Sequence, residues 1–201
     1  ASKTFFSAPI KVLRRDKFCM DTWGVIGGGT DILTTKFFID TIRKGVTVID
    51  GGAYIGWYTL LAAELTGSTG SVHAFEPTAR TLPVLRRNIA GRKNIFLNNA
   101  ALYKQSGQIE FYDFGKGLGY ANAVVSEAKP LPGKRGENHG QHLLVQGVSL
   151  DNYCAKVGIT PDFIKLDLEG GEYDALLGAQ AVLKSKQPIV VIEVSQTEIQ
   201  S

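Results

Sequence analysis

Apolar residues fall along this chain in two rhythms that take turns. Short runs on consecutive positions occur at Val46, Val48 and Ile49, at Val72, Ala74 and Phe75, at Ile95, Phe96 and Leu97, at Phe163, Ile164 and Leu166, and over residues 189–194. Strands covered on both faces need not alternate apolar with polar, so these runs predict buried parallel strands. Between them the spacing changes. Ile55, Tyr58, Leu61, Ala62 and Leu65 recur at helical intervals until Gly67, Ser68 and Gly70, and Leu82, Leu85 and Ile89 do so until Gly91. Residues 149–156 and 173–183 read as two more helices. Strands that alternate with helices predict an α/β fold, a mostly parallel sheet with helices on both faces. Residues 108–112 are different: Ile109 and Phe111 alternate with polar neighbours, as in a more exposed antiparallel strand.

Two stretches lack a clear period. In residues 1–45, residues 10–13 suggest a strand, residues 14–17 a polar turn, Gly27, Gly28 and Gly29 a tight turn, and Phe37, Phe38 and Ile42 a helix against the sheet. This segment is expected to be an extension or cap, with residues 46–201 forming the main domain. Residues 113–146 are rich in glycine and polar side chains, the composition of a binding loop or lid, and substrate contacts are expected there.

Chemistry concentrates where strands end. The first strong strand closes on Asp50, followed by Gly51, Gly52, Ala53 and Gly56. The glycines permit a sharp turn and a close backbone approach. In the dinucleotide fingerprint G-x-G-x-x-G the middle glycine admits a pyrophosphate, and here Ala53 stands in its place. A ligand with ribose and adenine but no phosphate suits such a loop. Glu76, at the end of the next strand, offers two carboxylate oxygens to the two ribose hydroxyls. S-adenosylmethionine fits that description.

A second constellation follows the strand at 163–166: Asp167, Leu168, Glu169, Gly170, Gly171 and Glu172. In open α/β sheets ligands bind beyond the carboxyl ends of the strands, where strand order reverses, so Asp50, Glu76 and Asp167 are expected to gather there. Glu169 and Glu172 also fit as acids in a helix's first turn.

Composition narrows the setting. The 201 residues, 44% hydrophobic, suffice for one domain with a substantial core. A formal charge of +3 is mild, so nucleic acid is not indicated as a partner. Cys19 and Cys154 form no C-x-x-C pair, and no ligand spacing calls for a metal. No run approaches the roughly 18 apolar residues of a membrane span. The chain reads as soluble and cytoplasmic, without a signal peptide.

Four ordered motifs resemble the FkbM-type methyltransferases: residues 48–59, Ala74 to Pro77, Asn99 to Leu102, and Ile164 to Glu172. The resemblance runs from about Gly45 to Glu193. It implies a Rossmann-like class I methyltransferase fold, S-adenosylmethionine as cofactor, and O-methylation of a hydroxyl on a sugar or natural-product small molecule. By the same resemblance Asp50, Gly51, Gly52, Ala53 and Gly56 shape the methionine and adenosine pocket, Glu76 holds the ribose, Asn99 and Ala100 border the adenine, and Asp167 faces the transfer site. The family fold adds two strands after the one ending at Glu193, whereas this sequence stops at Ser201. The expectation is either a truncated sequence or a sheet lacking its last two strands, shortened or completed by another chain, with a homo-oligomer one option.

A hydroxyl acceptor must lose its proton, and Asp167 is the first candidate base, with Glu169 and His142 behind it. Three other functions compete. Amino-methylating enzymes of bases carry an Asn or Asp followed by Pro-Pro and an aromatic residue, unlike Asp167-Leu-Glu-Gly; RNA ribose and protein acceptors stay open. A module that binds the cofactor without catalysis is the second, and a dehydrogenase, disfavoured by Ala53, the third.

Overall fold

A computed structural model describes Ser2–Lys3, Pro9–Ile10 and residues 32–113, 123–124 and 141–193. The strands are β1 (Ser2–Lys3), β2 (Pro9–Ile10), β3 (Thr47–Gly51), β4 (Ser71–Phe75), β5 (Ile95–Asn98), β6 (Ala101–Leu102), β7 (Gly107–Asp113), β8 (Ala123–Val124), β9 (Gln141–Val148), β10 (Phe163–Leu166) and β11 (Ile189–Ile192). The helices are α1 (Ile32–Thr41), α2 (Trp57–Thr66), α3 (Leu82–Asn88), α4 (Leu150–Val157), α5 (Glu172–Leu177) and α6 (Gln180–Lys186).

The consecutive apolar runs become one parallel sheet in the order β11-β10-β3-β4-β5. Adjacent residues of each strand point to opposite faces, and both faces are covered. Val48 packs with Phe38 and Ile42 of the first helical segment, with Leu61 and Ala62 of α2, and with Phe163. Its neighbour Ile49 joins the opposite cluster, with Phe75, Ile164, Leu150 and Cys154 of α4, Ala175 of α5 and Val182 of α6. Full burial of one such side chain stabilises by roughly 1.5–3 kcal/mol, which is why apolar residues must occupy both registers of these strands. The α1 helix of the N-terminal stretch is therefore part of the sheet's own core.

From β3 the chain steps outward through β4 to β5, then returns to lay β10 and β11 on the other side of β3. The order reverses between β3 and β10, and a crevice opens at such a reversal. The carboxyl ends of β3 and β10 lie side by side there, with Asp50 in register with Lys165 and Gly51 with Leu166.

The second sheet, in the order β6-β9-β7-β8, is built on the antiparallel pair β7 and β9. It confirms the alternating strand near 108–112 and corrects the far end of the long loop. Residues 141–147 pair along their backbone with β7, which makes 141–148 a strand. His142 thereby lies in β9, 3.7 Å from Glu110. Most of the loop, residues 114–122 and 125–140, lies outside the described residues, as do the turns expected at 14–17 and at Gly27 to Gly29. The single helix expected over 173–183 is two. Gly178 breaks it: a side chain there would meet the Tyr103 carbonyl oxygen at 2.2 Å, and the Gly178 carbonyl accepts from Asp151 N at 2.9 Å and Ser149 Oγ at 2.9 Å.

His73 of β4 is only 2% exposed, its Nδ1 2.8 Å from the Tyr153 hydroxyl and its ring stacked on Phe96. Burial pulls its pKa from 6.5 down to about 4. The unfolded chain therefore takes up this proton first, so the stability His73 confers is complete above pH 6.5 and is lost as pH falls toward 4, up to about 3 kcal/mol. His73→Asn, which keeps a polar group where Nδ1 sits, should lack this acid limb. Urea unfolding of both proteins from pH 4 to 8 gives the difference; parallel curves would contradict it.

Candidate functional site

Asp50, next to last in β3, is almost completely covered, at 1% exposure. One oxygen accepts from the Thr59 hydroxyl at 2.5 Å and the other lies 3.5 Å from Lys165 Nζ. Lys165 is the centre of this site. Its ammonium, on the buried strand β10, is 3.1 Å from an Asp167 oxygen and donates to the Gly52 carbonyl at 3.3 Å and the Gly51 carbonyl at 3.5 Å. It also sits 5.3 Å from the centre of the Tyr58 ring. Burial opposes its charge, but the carboxylates of Asp167 and Asp50 outweigh that and hold the proton more firmly than in a free lysine.

The two acids share this cation unequally. Burial pushes the Asp50 carboxyl up despite Lys165 and Thr59, whereas at Asp167 the Lys165 charge overcomes burial and the pKa falls. The primary ion pair is Lys165 with Asp167, at the shorter distance.

Gly52 and its successor form the turn over this cluster. Gly52 has φ 74°, and a Cβ on it would stand 1.9 Å from the Asp167 carbonyl oxygen. The N–H groups of Gly52 and Ala53 both donate to the Phe75 carbonyl, at 3.1 and 3.0 Å. They are committed to the protein and do not form an anion-binding nest, in keeping with a ligand lacking a diphosphate. Gly56, φ 94°, precedes α2 and packs against Leu85, which a Cβ would meet at 2.7 Å.

Glu76 follows β4 and is 5% exposed. One oxygen accepts from Tyr54 N and the other from Thr78 N, each at 2.9 Å. Burial drives its pKa up to about 7 against these hydrogen bonds. The Thr78 hydroxyl donates as well, which leaves about one of a carboxylate's roughly four lone-pair sites for a further donor. Tyr54, the residue it anchors, takes φ 51°, a conformation that costs energy away from glycine.

Beyond β10, Glu172 closes the second tip loop by accepting from Leu168 N at 2.6 Å and Gly170 N at 2.9 Å. Its role is that of a loop clamp. Glu169, φ 56°, is half-buried within this loop. Asp167 accepts a hydrogen bond from the protonated side chain of Glu193, which follows β11.

A cavity of 380 Å³ opens over these strand ends, lined by Gly52, Ala53, Tyr54, Trp57, Tyr58, Lys165, Asp167 and Glu193 among others. The structure thus brings together Gly52, Ala53 and Asp167 as the sequence suggested. Gly51, Asp50 and Gly56 stand behind that wall, Asp50 reaching it only through Lys165. Glu76 sits one strand away, with Asn99 exposed and Ala100 buried just past β5 beside it. Glu169 and His142 do not line the cavity. Lys165 and Glu193 escaped the sequence reading. A lysine between Ile164 and Leu166, in a run covered on both faces, needs a buried counter-charge, and that was the available signal.

The family model described as methyltransferase FkbM domain matches residues 50–201. The chain belongs to the FkbM methyltransferase family. Among solved structures, a methyltransferase FkbM from Methylobacillus flagellatus KT shares 16% identity over 80% of this chain and 40% of its own length, with a TM-score of 0.49. A precorrin-6y C5,15-methyltransferase from Geobacter metallireducens GS-15 shares 14% identity over 86% of this chain and 66% of its own, also with a TM-score of 0.49. Fibrillarin from Aeropyrum pernix, with natively bound S-adenosylmethionine, shares 12% identity over 70% of this chain and 43% of its own, with a TM-score of 0.39. The FkbM domain therefore spans 40% of the length of the Methylobacillus protein. No curated protein matches it. Among the described residues no helix is long and apolar enough to cross a membrane, and no cluster of three metal-ligating side chains occurs.

Proposed function

We propose that this FkbM domain transfers a methyl group to a hydroxyl on a sugar or natural-product small molecule. The observation that carries the reading is the pair of carboxyl groups, Asp167 and Glu193, facing one cavity beside the Gly52 turn, with the rings of Tyr54, Trp57 and Tyr58 on its wall. A hydroxyl acceptor needs a proton acceptor near the transfer point, and a neutral ring substrate needs apolar surface to lie on.

In this reading Gly51, Gly52, Ala53 and Gly56 provide the close floor for the cofactor, Glu76 takes the ribose hydroxyls, and Asn99 and Ala100 border the base. Asp50 acts from behind by holding Lys165. Asp167 borders the reacting centre, and Glu169 supports its loop. Bound there, S-adenosylmethionine supplies an activated methyl group, so the domain's main task is alignment, worth up to about 7–11 kcal/mol in well-oriented cases.

Calorimetry with S-adenosylhomocysteine tests the cofactor half of the proposal. Ribose hydroxyls donate to an ionised Glu76, whose pKa near 7 means that ligand binding competes with a proton below that point. Affinity should be level above about pH 8 and weaken about tenfold per pH unit below pH 7. Glu76→Gln should bind about 10- to 100-fold more weakly, from the lost charged hydrogen bonds, and show no such slope. A pH-independent affinity in the unaltered protein would remove Glu76 from the ribose. Methyl transfer to a panel of hydroxyl-bearing sugars and aglycones, against amine controls, tests the acceptor half.

A further inference from the structure

Two acids face the cavity, and their surroundings give them different chemistry. Asp167 has the buried Lys165 ammonium 3.1 Å away, and Lys165 is itself fixed by Asp50 and by the carbonyls of Gly51 and Gly52. A carboxylate locked in that ion pair is stabilised in its charged form and is a weak base. Glu193 stands one strand further out, anchored where its N–H donates to the Leu166 carbonyl at 2.9 Å, with an exposed side chain on the cavity rim.

We propose that Glu193 is the group that takes the proton from the acceptor hydroxyl, while Asp167, held by Lys165, positions it. The inference rests on the methyl-transfer reading above. As the acceptor oxygen bonds to the methyl carbon, that carbon leaves sulfur, and the hydroxyl proton passes to a Glu193 carboxylate oxygen. The cation on sulfur and the anion on Glu193 disappear together, so charge is conserved.

Three features agree with this division. The hydrogen bond to Asp167 and the Asp167 charge make Glu193 hold a proton more tightly than an ordinary glutamate. A base whose pKa approaches the working pH combines availability with driving force, whereas a strongly depressed acid does not. Once Glu193 has taken the proton, its O–H donates to the Asp167 carboxylate, which holds the protonated side chain at the rim.

The proposal can be tested without knowing the acceptor. S-adenosylmethionine carries a positive sulfur and S-adenosylhomocysteine a neutral one, so the two ligands differ by one charge at the transfer point. Carboxyl carbon NMR of the labelled protein, with the Glu193 signal assigned by its loss in Glu193→Gln, follows the titration in each complex. The expected result is a midpoint lower by about one pH unit or more with S-adenosylmethionine, since a cation within several ångströms favours the carboxylate. Equal midpoints would place Glu193 away from the reacting sulfur and overturn the proposal. Failure of either nucleoside to bind would instead overturn the methyl-transfer reading, and this inference with it.

On whichever hydroxyl acceptor the panel yields, Glu193→Gln should lower turnover roughly 10²–10⁴-fold with nucleoside affinity within about threefold, and abolish the rise of rate with pH. Asp167→Asn should keep that pH-dependent rise with its midpoint displaced. A rise that survives in Glu193→Gln and vanishes in Asp167→Asn would return the role to Asp167.

Discussion

Lys165→Met is expected to lower the unfolding free energy by about 3–5 kcal/mol at neutral pH, because it removes the cation from a buried cluster and leaves its acids behind. Asp50, 1% exposed, would keep only the Thr59 hydroxyl, and Asp167 would lose its ion pair. Asp50 already binds its proton more tightly than a free aspartate through burial, and loss of Lys165 pushes it higher still. A carboxyl whose folded pKa is raised becomes more costly as pH rises from the unfolded value toward the folded one. The deficit should therefore be small in acid and grow toward neutrality. Lys165→Met combined with Asp50→Asn should recover a large part of it, since the neutral amide needs no counter-charge. Urea titrations at several pH values measure both effects; a loss below about 1 kcal/mol, or one independent of pH, would mean that this cluster is not held as described.

Gly52→Ala should be nearly as damaging, by about 2–5 kcal/mol. The new methyl would lie 1.9 Å from the Asp167 carbonyl oxygen, at a φ of 74° that disfavours any Cβ. Left-handed backbone costs an alanine roughly 1–2 kcal/mol, and forcing atoms into a packed site about 1–3 kcal/mol more. Relief requires the end of β10 to move, which displaces Asp167 and Lys165 from the cavity wall, so nucleoside affinity should fall by more than tenfold as well. Gly91→Ala provides the control. Its φ is 81° but nothing lies within 4 Å, so only the backbone cost of about 1–2 kcal/mol should appear. Similar losses at the two positions would remove the contact argument.

Much of the sheet was legible because burial on both faces leaves a mark that no other element leaves. Val48 and Ile49 belong to opposite cores, so both had to be apolar, and the same holds for Phe163 and Ile164. The acids closing β3 and β10, and Glu76 just past β4, were readable because a carboxylate ends an apolar run only where the strand reaches a polar environment. The periodicity of 173–183 predicts one helix because the break at Gly178 comes from the Tyr103 carbonyl, a contact with a distant segment. The strand that carries His142 is not legible in the sequence, because the alternation of residues 141–148 is weak and β7 supplies its partner only in the fold.

The order of residues was enough to establish a parallel α/β sheet, acids at the strand ends and the family to which the chain belongs. It could not show that Asp50 turns inward, that Lys165 joins three strand-end groups, or that Glu193 meets Asp167. Those facts depend on strand order: β10 returns beside β3, bringing together residues more than a hundred positions apart, and β11 lies beside β10. A periodic pattern records which face a residue occupies; which neighbour it meets is settled when the strands take their places in the sheet.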